Sequence, residues 1–255
     1  MQDDLFIVLQ WWSVLFLVGA AAFPLTKRLF PTWFDRGYLF AKAVGFAVIS
    51  YLVYVLGTLH IAPFTQLTVF LATGIVFVVG IMPGFFHPNK RTIVRNKERL
   101  LYWANVIGIE ELCFFFLLLL WSWVKAHEPS IRGLEKFMDF GFMQSILNAQ
   151  YFPALDIWWA GGYINYYYFG HLVTAVLTRV SGLTLPFTFN LMLATLFALT
   201  ATMSFSIGVQ LIRFKQKASW GIALFSGVIT SFLVTLAGNM QTIYAFTKGY
   251  TGENV

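Results

Sequence analysis

Six long apolar runs, separated by short polar breaks, set the pattern of the chain. They fall near 5–25, 38–59, 66–86, 100–124, 186–212 and 220–238. Each approaches the roughly 20 residues that a helix needs to cross a bilayer. A shorter apolar stretch at about 164–180 predicts one more helix. The pattern therefore predicts an all-α, polytopic transmembrane bundle of about six or seven membrane helices. Three of them fill an N-terminal region, 1–99, and the rest belong to a second module, 100–255, carrying one long polar loop at 126–165.

Composition agrees with this picture. Hydrophobic residues make up 58% of the chain, charged residues only 11%, and the mean hydropathy is +0.71, which leaves too little polar surface for a soluble protein. The first run lacks a basic leader and a small-residue cleavage site, so it predicts a retained helix. A multi-pass protein of the cell or cytoplasmic membrane is expected.

The net charge of +6 changes the picture only by orienting it. Lys27, Arg28 and Arg36 follow the first run, and Lys90, Arg91, Arg95, Lys97 and Arg99 follow the third. Basic residues gather in cytoplasmic loops, so this charge predicts no nucleic-acid partner. The opening "MQDD" and the neutral "HIAPFTQ" then face outward, the fourth helix delivers the chain outward at Lys125, and residues 126–163 are extracytoplasmic. Two arrangements remain for 164–180. A full crossing would leave "RFKQK" at 213–217 outside, against the charge rule; a re-entrant or juxtamembrane helix returns Lys215 and Lys217 to the inside, and charge bias favours this second arrangement. The chain stops on a polar tail, "TKGYTGENV", as expected of the N-terminal portion of a longer protein.

Candidate chemistry concentrates in the long loop. Of eleven acidic residues, Glu128, Glu135, Asp139 and Asp156 lie there. The segment "GLEKFMDFGFMQSILNAQ" predicts an amphipathic helix whose Leu134, Phe137, Met138, Met143 and Ile146 face the headgroup boundary. Glu135 and Asp139, four apart, would stack on one face of it. Asp139 stands between Met138 and Phe140, where a carboxylate is costly without a partner or a task.

The stretch "FPALDIWWAGGYINYYYFGHL", 152–172, follows. Pro153 is expected to end the preceding helix, and Gly161 and Gly162 to form a tight turn or to let a ligand approach the backbone. A helix starting near Tyr163 would place Tyr163, Tyr167 and His171 on one face, with Tyr166 and Gly170 beside them. Trp158, Trp159 and Tyr168 fit an aromatic belt at the membrane boundary. That reading explains less well why Asp156, Asn165 and His171 are interleaved with the rings, an arrangement that suits a sugar or a lipid phosphate.

Glu110 and Glu111 lie inside the fourth run. Intramembrane carboxylates are functional candidates, and a structural contact with Lys42 of the second run is the equal alternative. Four histidines and the single Cys113 show no zinc spacing and allow no intrachain disulfide. A divalent cation such as Mg or Mn on Asp139 and Asp156 is left open, because oxygen ligands need no fixed motif. No glycine-rich phosphate loop and no nucleophile elbow is present.

The elements "EKFMDF" and "FPALDIWWAGGYINYYYFGH" closely resemble the YYY family of polytopic membrane proteins, a domain of unknown function named for its tyrosine triplet. The similarity covers about 133–172; Ala154 and Leu155 stand where that family often has proline and tyrosine. The order Asp139, Asp156, "INYYYFGH" also resembles the GT-C class of membrane glycosyltransferases, whose donor is a sugar on a polyprenyl phosphate. That resemblance implies Asp139 as base on the acceptor, with Asp156 and His171 orienting donor or acceptor. It further implies Glu135, Lys136, Trp158, Asn165, Tyr166 and Tyr167 around the substrate, Lys136 or Arg132 holding the donor phosphate, and membrane lipid and lipid-linked sugar as partners. Two other functions stay open: a transporter or lipid flippase relaying through Glu110 and Glu111, and a non-catalytic assembly subunit.

Overall fold

A computed structural model describes residues 2–86, 97–133, 135–216 and 218–238. Lys90, Arg91, Arg95, Leu134, Lys217 and the tail from 239 onward lie outside the described residues. Eight helices follow one another: α1 (Gln2–Leu29), α2 (Tyr38–Thr58), α3 (Gln66–Phe86), α4 (Lys97–Ala126), α5 (Lys136–Asn148), α6 (Phe169–Ser181), α7 (Leu185–Gln216) and α8 (Trp220–Thr235). The chain divides after Leu199 into two compact units, Met1–Leu199 and Thr200–Val255.

Four helices have the length and hydropathy to cross a membrane: Asp4–Leu29, Tyr38–Thr58, Leu101–Ala126 and Leu185–Phe214. The third and last of the predicted spans are shorter apolar helices among the described residues, Gln66–Met82 and Trp220–Thr235. Among the described residues four helices therefore meet both criteria, and the expected count of six or seven is not shown. The predicted 164–180 helix is also shorter than expected. As α6 it has 13 residues, about 20 Å at helical rise, too short for a hydrocarbon core of about 30 Å.

In the first unit α1 packs on α2 and α3, and α6 touches α1, α2 and α3. The α1–α2 crossing is close because small residues face each other. A Cβ added at Gly45 would lie 2.8 Å from Val18 Cγ1 and 3.0 Å from the Val18 carbonyl oxygen. Close backbone approach of this kind supplies the dispersion contacts that hold membrane helices together. Gly45→Val should therefore cost about 1–3 kcal/mol by overpacking, read as a lower unfolding temperature of the detergent-solubilised protein. An unchanged temperature would show that the crossing can yield.

α6 is buried over nine of its 13 residues, and its end is anchored by side chains from the bundle. Gln10 Nε2 donates to the Ser181 carbonyl at 2.6 Å, and Gln66 Nε2 to that of Val180 at 3.3 Å. Gly182, in the left-handed conformation at φ 70°, stops the helix without a Cβ clash. The start of α1, the end of α2, the start of α3 and all of α6 thus gather at one end of the bundle.

α5 differs from the expected headgroup-facing helix. Phe142, Met143 and Ile146 are buried within the protein, whereas Phe137 is exposed. Met143 packs with Leu185 and Phe189, and the Phe140 ring meets that of Phe189 at 5.8 Å. Arg179 of α6 donates through its guanidinium to the Leu147 carbonyl and lies 4.7 Å from the Phe64 ring centroid. Arg179→Ala should cost about 1.5–3 kcal/mol, the worth of a charge-assisted hydrogen bond; thermal unfolding checks this, and a loss of a few tenths would reject it.

In the second unit α8 buries Ala223 and Gly227. The Arg213 guanidinium lies 4.2 Å from the Trp220 ring centroid and donates to the Ala218 carbonyl at 2.9 Å, closing the turn between the two helices.

Candidate functional site

Asp139 occupies the first turn of α5 and His171 the first turn of α6. These helices pack on each other, and the packing brings the two side chains together across 32 residues of sequence. His171 Nε2–H donates to Asp139 Oδ1 at 3.0 Å. The His171 side chain is 10% exposed and that of Asp139 32% exposed, so the imidazole is the buried partner and the carboxylate is partly exposed. The Phe142 ring meets the imidazole edge-on at 5.7 Å. His171 Nδ1 is buried without a hydrogen-bond partner, which keeps the proton on Nε2, where the carboxylate can accept it.

The tyrosine triplet precedes α6 and does not belong to it. The predicted face shared by Tyr163, Tyr167 and His171 is therefore not formed, because Tyr163 is held in extended pairing with Leu155. Ile164 N–H donates to the Ala154 carbonyl and Asp156 N–H to that of Gly162, both at 2.9 Å. Pro153 does not end α5 either: that helix stops at Asn148, and Ala149, with ψ 136°, turns the chain into an extended path.

The triplet splits by environment. The Tyr168 ring packs edge-on against Tyr54 at 6.2 Å, and burial, with a hydrogen bond to the Tyr54 hydroxyl, raises its pKa. Tyr166 and Tyr167 are exposed, with ring centroids 3.8 Å apart. The Tyr167 hydroxyl is pushed up to about 12, first by its hydrogen bond with Tyr166 and further by the charges of Glu135 and Asp139. The Tyr167 hydroxyl thus stands near enough to Glu135 and Asp139 to feel their charges. Glu135 and Asn165 are exposed as well, and Lys136 is close enough to Lys125 for their charges to repel.

Asp156 has a local task. Its Oδ1 accepts from the backbone N–H of Trp158 at 2.7 Å and of Trp159 at 3.2 Å, an Asx turn that holds the exposed Trp158 and Trp159 rings in place. No hydrogen bond joins Asp156 to Asp139 or His171 among the described residues. Among the described residues no group of three or more His, Cys, Asp or Glu side chains gathers.

Glu111 answers the question left open within the fourth helix. Its Oε2 accepts from Lys42 Nζ at 2.5 Å and from the Tyr38 hydroxyl at 2.6 Å, and its Oε1 from Trp12 Nε1 at 2.8 Å. It ties α1, α2 and α4 together. Glu110 is buried, and neither of its carboxyl oxygens has a hydrogen-bond partner.

Comparison with known proteins places residues 48–255 on the family model described as "Uncharacterized membrane protein (DUF2298)". No curated protein and no solved structure matches the chain.

Proposed function

Because the chain belongs to the DUF2298 family of membrane proteins and holds a half-open carboxylate against a buried histidine, we propose that it is an integral membrane glycosyltransferase. It would transfer a sugar from a polyprenyl-phosphate donor at the extracytoplasmic face. The observation that supports this reading is the Asp139–His171 pair, in which one carboxylate oxygen is held by the buried imidazole while the Asp139 side chain stays partly exposed.

In this mechanism Asp139 takes the proton of an acceptor hydroxyl while that oxygen attacks the anomeric carbon. The bond from that carbon to the phosphate oxygen breaks, and its electron pair leaves with the polyprenyl phosphate. His171 is a positioning residue: its Nε2–H fixes the carboxylate in one orientation and holds Oδ1, so the proton goes to Oδ2. Lys136, Lys125 and Arg132 are the cations on hand for the phosphate charge. Tyr166 and Tyr167 supply hydroxyl groups, and Trp158, steadied by the Asp156 turn, supplies a ring face for the sugar. Asp156 thus acts on the substrate only through the loop it shapes.

The test is transfer of labelled sugar from glucosyl- and mannosyl-phosphoryl polyprenol to membrane acceptors by liposomes carrying the full chain. Label should move above the level of protein-free liposomes. No transfer from any polyprenyl-phosphate donor would reject the reading.

A further inference from the structure

A cavity of about 870 Å³ lies between α5 and the segment 149–163. The α5 face that lines it carries Phe140, Gln144 and Asn148, a different face from the one that holds Asp139 against His171. The size falls within the roughly 300–1,000 Å³ of small-molecule sites. No Asp, Glu, Lys or Arg lines it, while His60, Gln144, Asn148, Gln150, Tyr151 and Tyr163 do. We propose that this cavity binds an uncharged sugar.

The lining excludes charged ligands. A phosphate or carboxylate would enter with no cation to meet it, and such a charge is not taken from water unpaired. An uncharged polyhydroxy compound needs ring faces for its C–H surface and amide groups for its hydroxyls. Both are present. The His60 ring lies on that of Tyr151 at 4.6 Å and 24°, forming a flat double layer. His60 Nδ1–H donates to the Thr58 carbonyl at 3.1 Å, so Nε2 is the acceptor nitrogen. Gln144 Nε2 donates to Asn148 Oδ1 at 3.2 Å; this leaves Gln144 Oε1 to accept and Asn148 Nδ2 to donate. Acceptors and a donor are therefore among the lining groups, as sugar hydroxyls require.

The backbone at His60 supports the same conclusion independently. His60 follows the end of α2 with φ 57°, in the left-handed conformation where a helix commonly ends on glycine. For a residue with a Cβ this conformation costs about 1–2 kcal/mol. Fold alone would favour glycine here, and what histidine adds is the exposed ring stacked on Tyr151.

Ligand-observed saturation-transfer NMR on the full chain in lipid nanodiscs tests the proposal, with methyl α-glucoside, methyl α-mannoside and maltotriose as neutral probes and glucose 1-phosphate as the charged one. At least one neutral probe should receive saturation at its ring protons, and glucose 1-phosphate should bind no better. His60→Gly should weaken binding about tenfold while leaving the thermal midpoint unchanged or higher. Asn148→Ala gives a second reading of the same lining should His60→Gly disturb the fold. No transfer to any neutral probe, equal binding by both variants, or preference for the phosphate would overturn the proposal. Since the measurement involves no chemical step, a chain that takes up neutral sugar yet never transfers it would defeat the transferase reading alone.

Discussion

Asp139→Asn is expected to slow sugar transfer by about 10²- to 10⁴-fold, the usual contribution of a positioned general base, while leaving the folded protein in the membrane. The amide oxygen of asparagine can still accept from His171 Nε2–H, so the 3.0 Å contact between α5 and α6 is kept and only the basic oxygen is lost. Initial rates with a saturating polyprenyl-phosphate sugar, together with thermal unfolding, separate the two effects. Full activity in the variant would remove Asp139 from the mechanism. His171→Gln should cause a smaller loss, and because His171 acts through Asp139, it should change the pH profile of kcat more than it changes KM.

The second large effect is expected inside the helical bundle. Lys42→Met or Glu111→Leu alone should cost about 3–5 kcal/mol, because each strands a buried charge; the side chains are only 5% and 9% exposed. The double variant should be milder than the sum of the single ones. It still leaves the Tyr38 hydroxyl and Trp12 indole without the acceptor they share, at about 1–3 kcal/mol for each buried donor. Adding Tyr38→Phe to the pair should recover part of that loss. Unfolding in mixed micelles supplies all these values, and additivity across the cycle would contradict a direct Lys42–Glu111 coupling. Glu110→Gln is the control, since neither Glu110 oxygen loses a hydrogen bond. If Glu110→Gln instead abolished a measurable ion or lipid flux in a stably folded protein, the transport alternative would be the better account.

Much of this architecture was legible from the chain itself, because long apolar runs have few other solutions. The positions of α1, α2, α4 and α7 follow directly from them. Asp139 and His171 were likewise readable as unusual polar residues in apolar surroundings, although their contact depends on how α5 packs on α6. The failures have a common cause in non-local pairing. Tyr163 sits apart from α6 because Leu155 and Ala154 claim its neighbourhood, and periodicity cannot report a partner eight or more residues away. Asp156 held a signal that could have been used: an aspartate just before a turn-forming stretch often accepts from the backbone two residues on. His60 gave none, since nothing in "GTLHIAP" distinguishes a left-handed histidine from an ordinary loop residue. A further limit is the register of α5, whose buried face became clear only through Phe142, Met143 and Ile146.

The Lys42–Glu111 pair bears finally on how the protein is made. The two residues are 69 positions apart, a separation that takes about 3–14 s to synthesise at ordinary translation rates. During that interval the second helix carries an ammonium group one turn from its start, where a lysine can reach the headgroups along its flexible stem. Its burial against Glu111 therefore has to follow the emergence of the fourth helix, and this part of the bundle closes late.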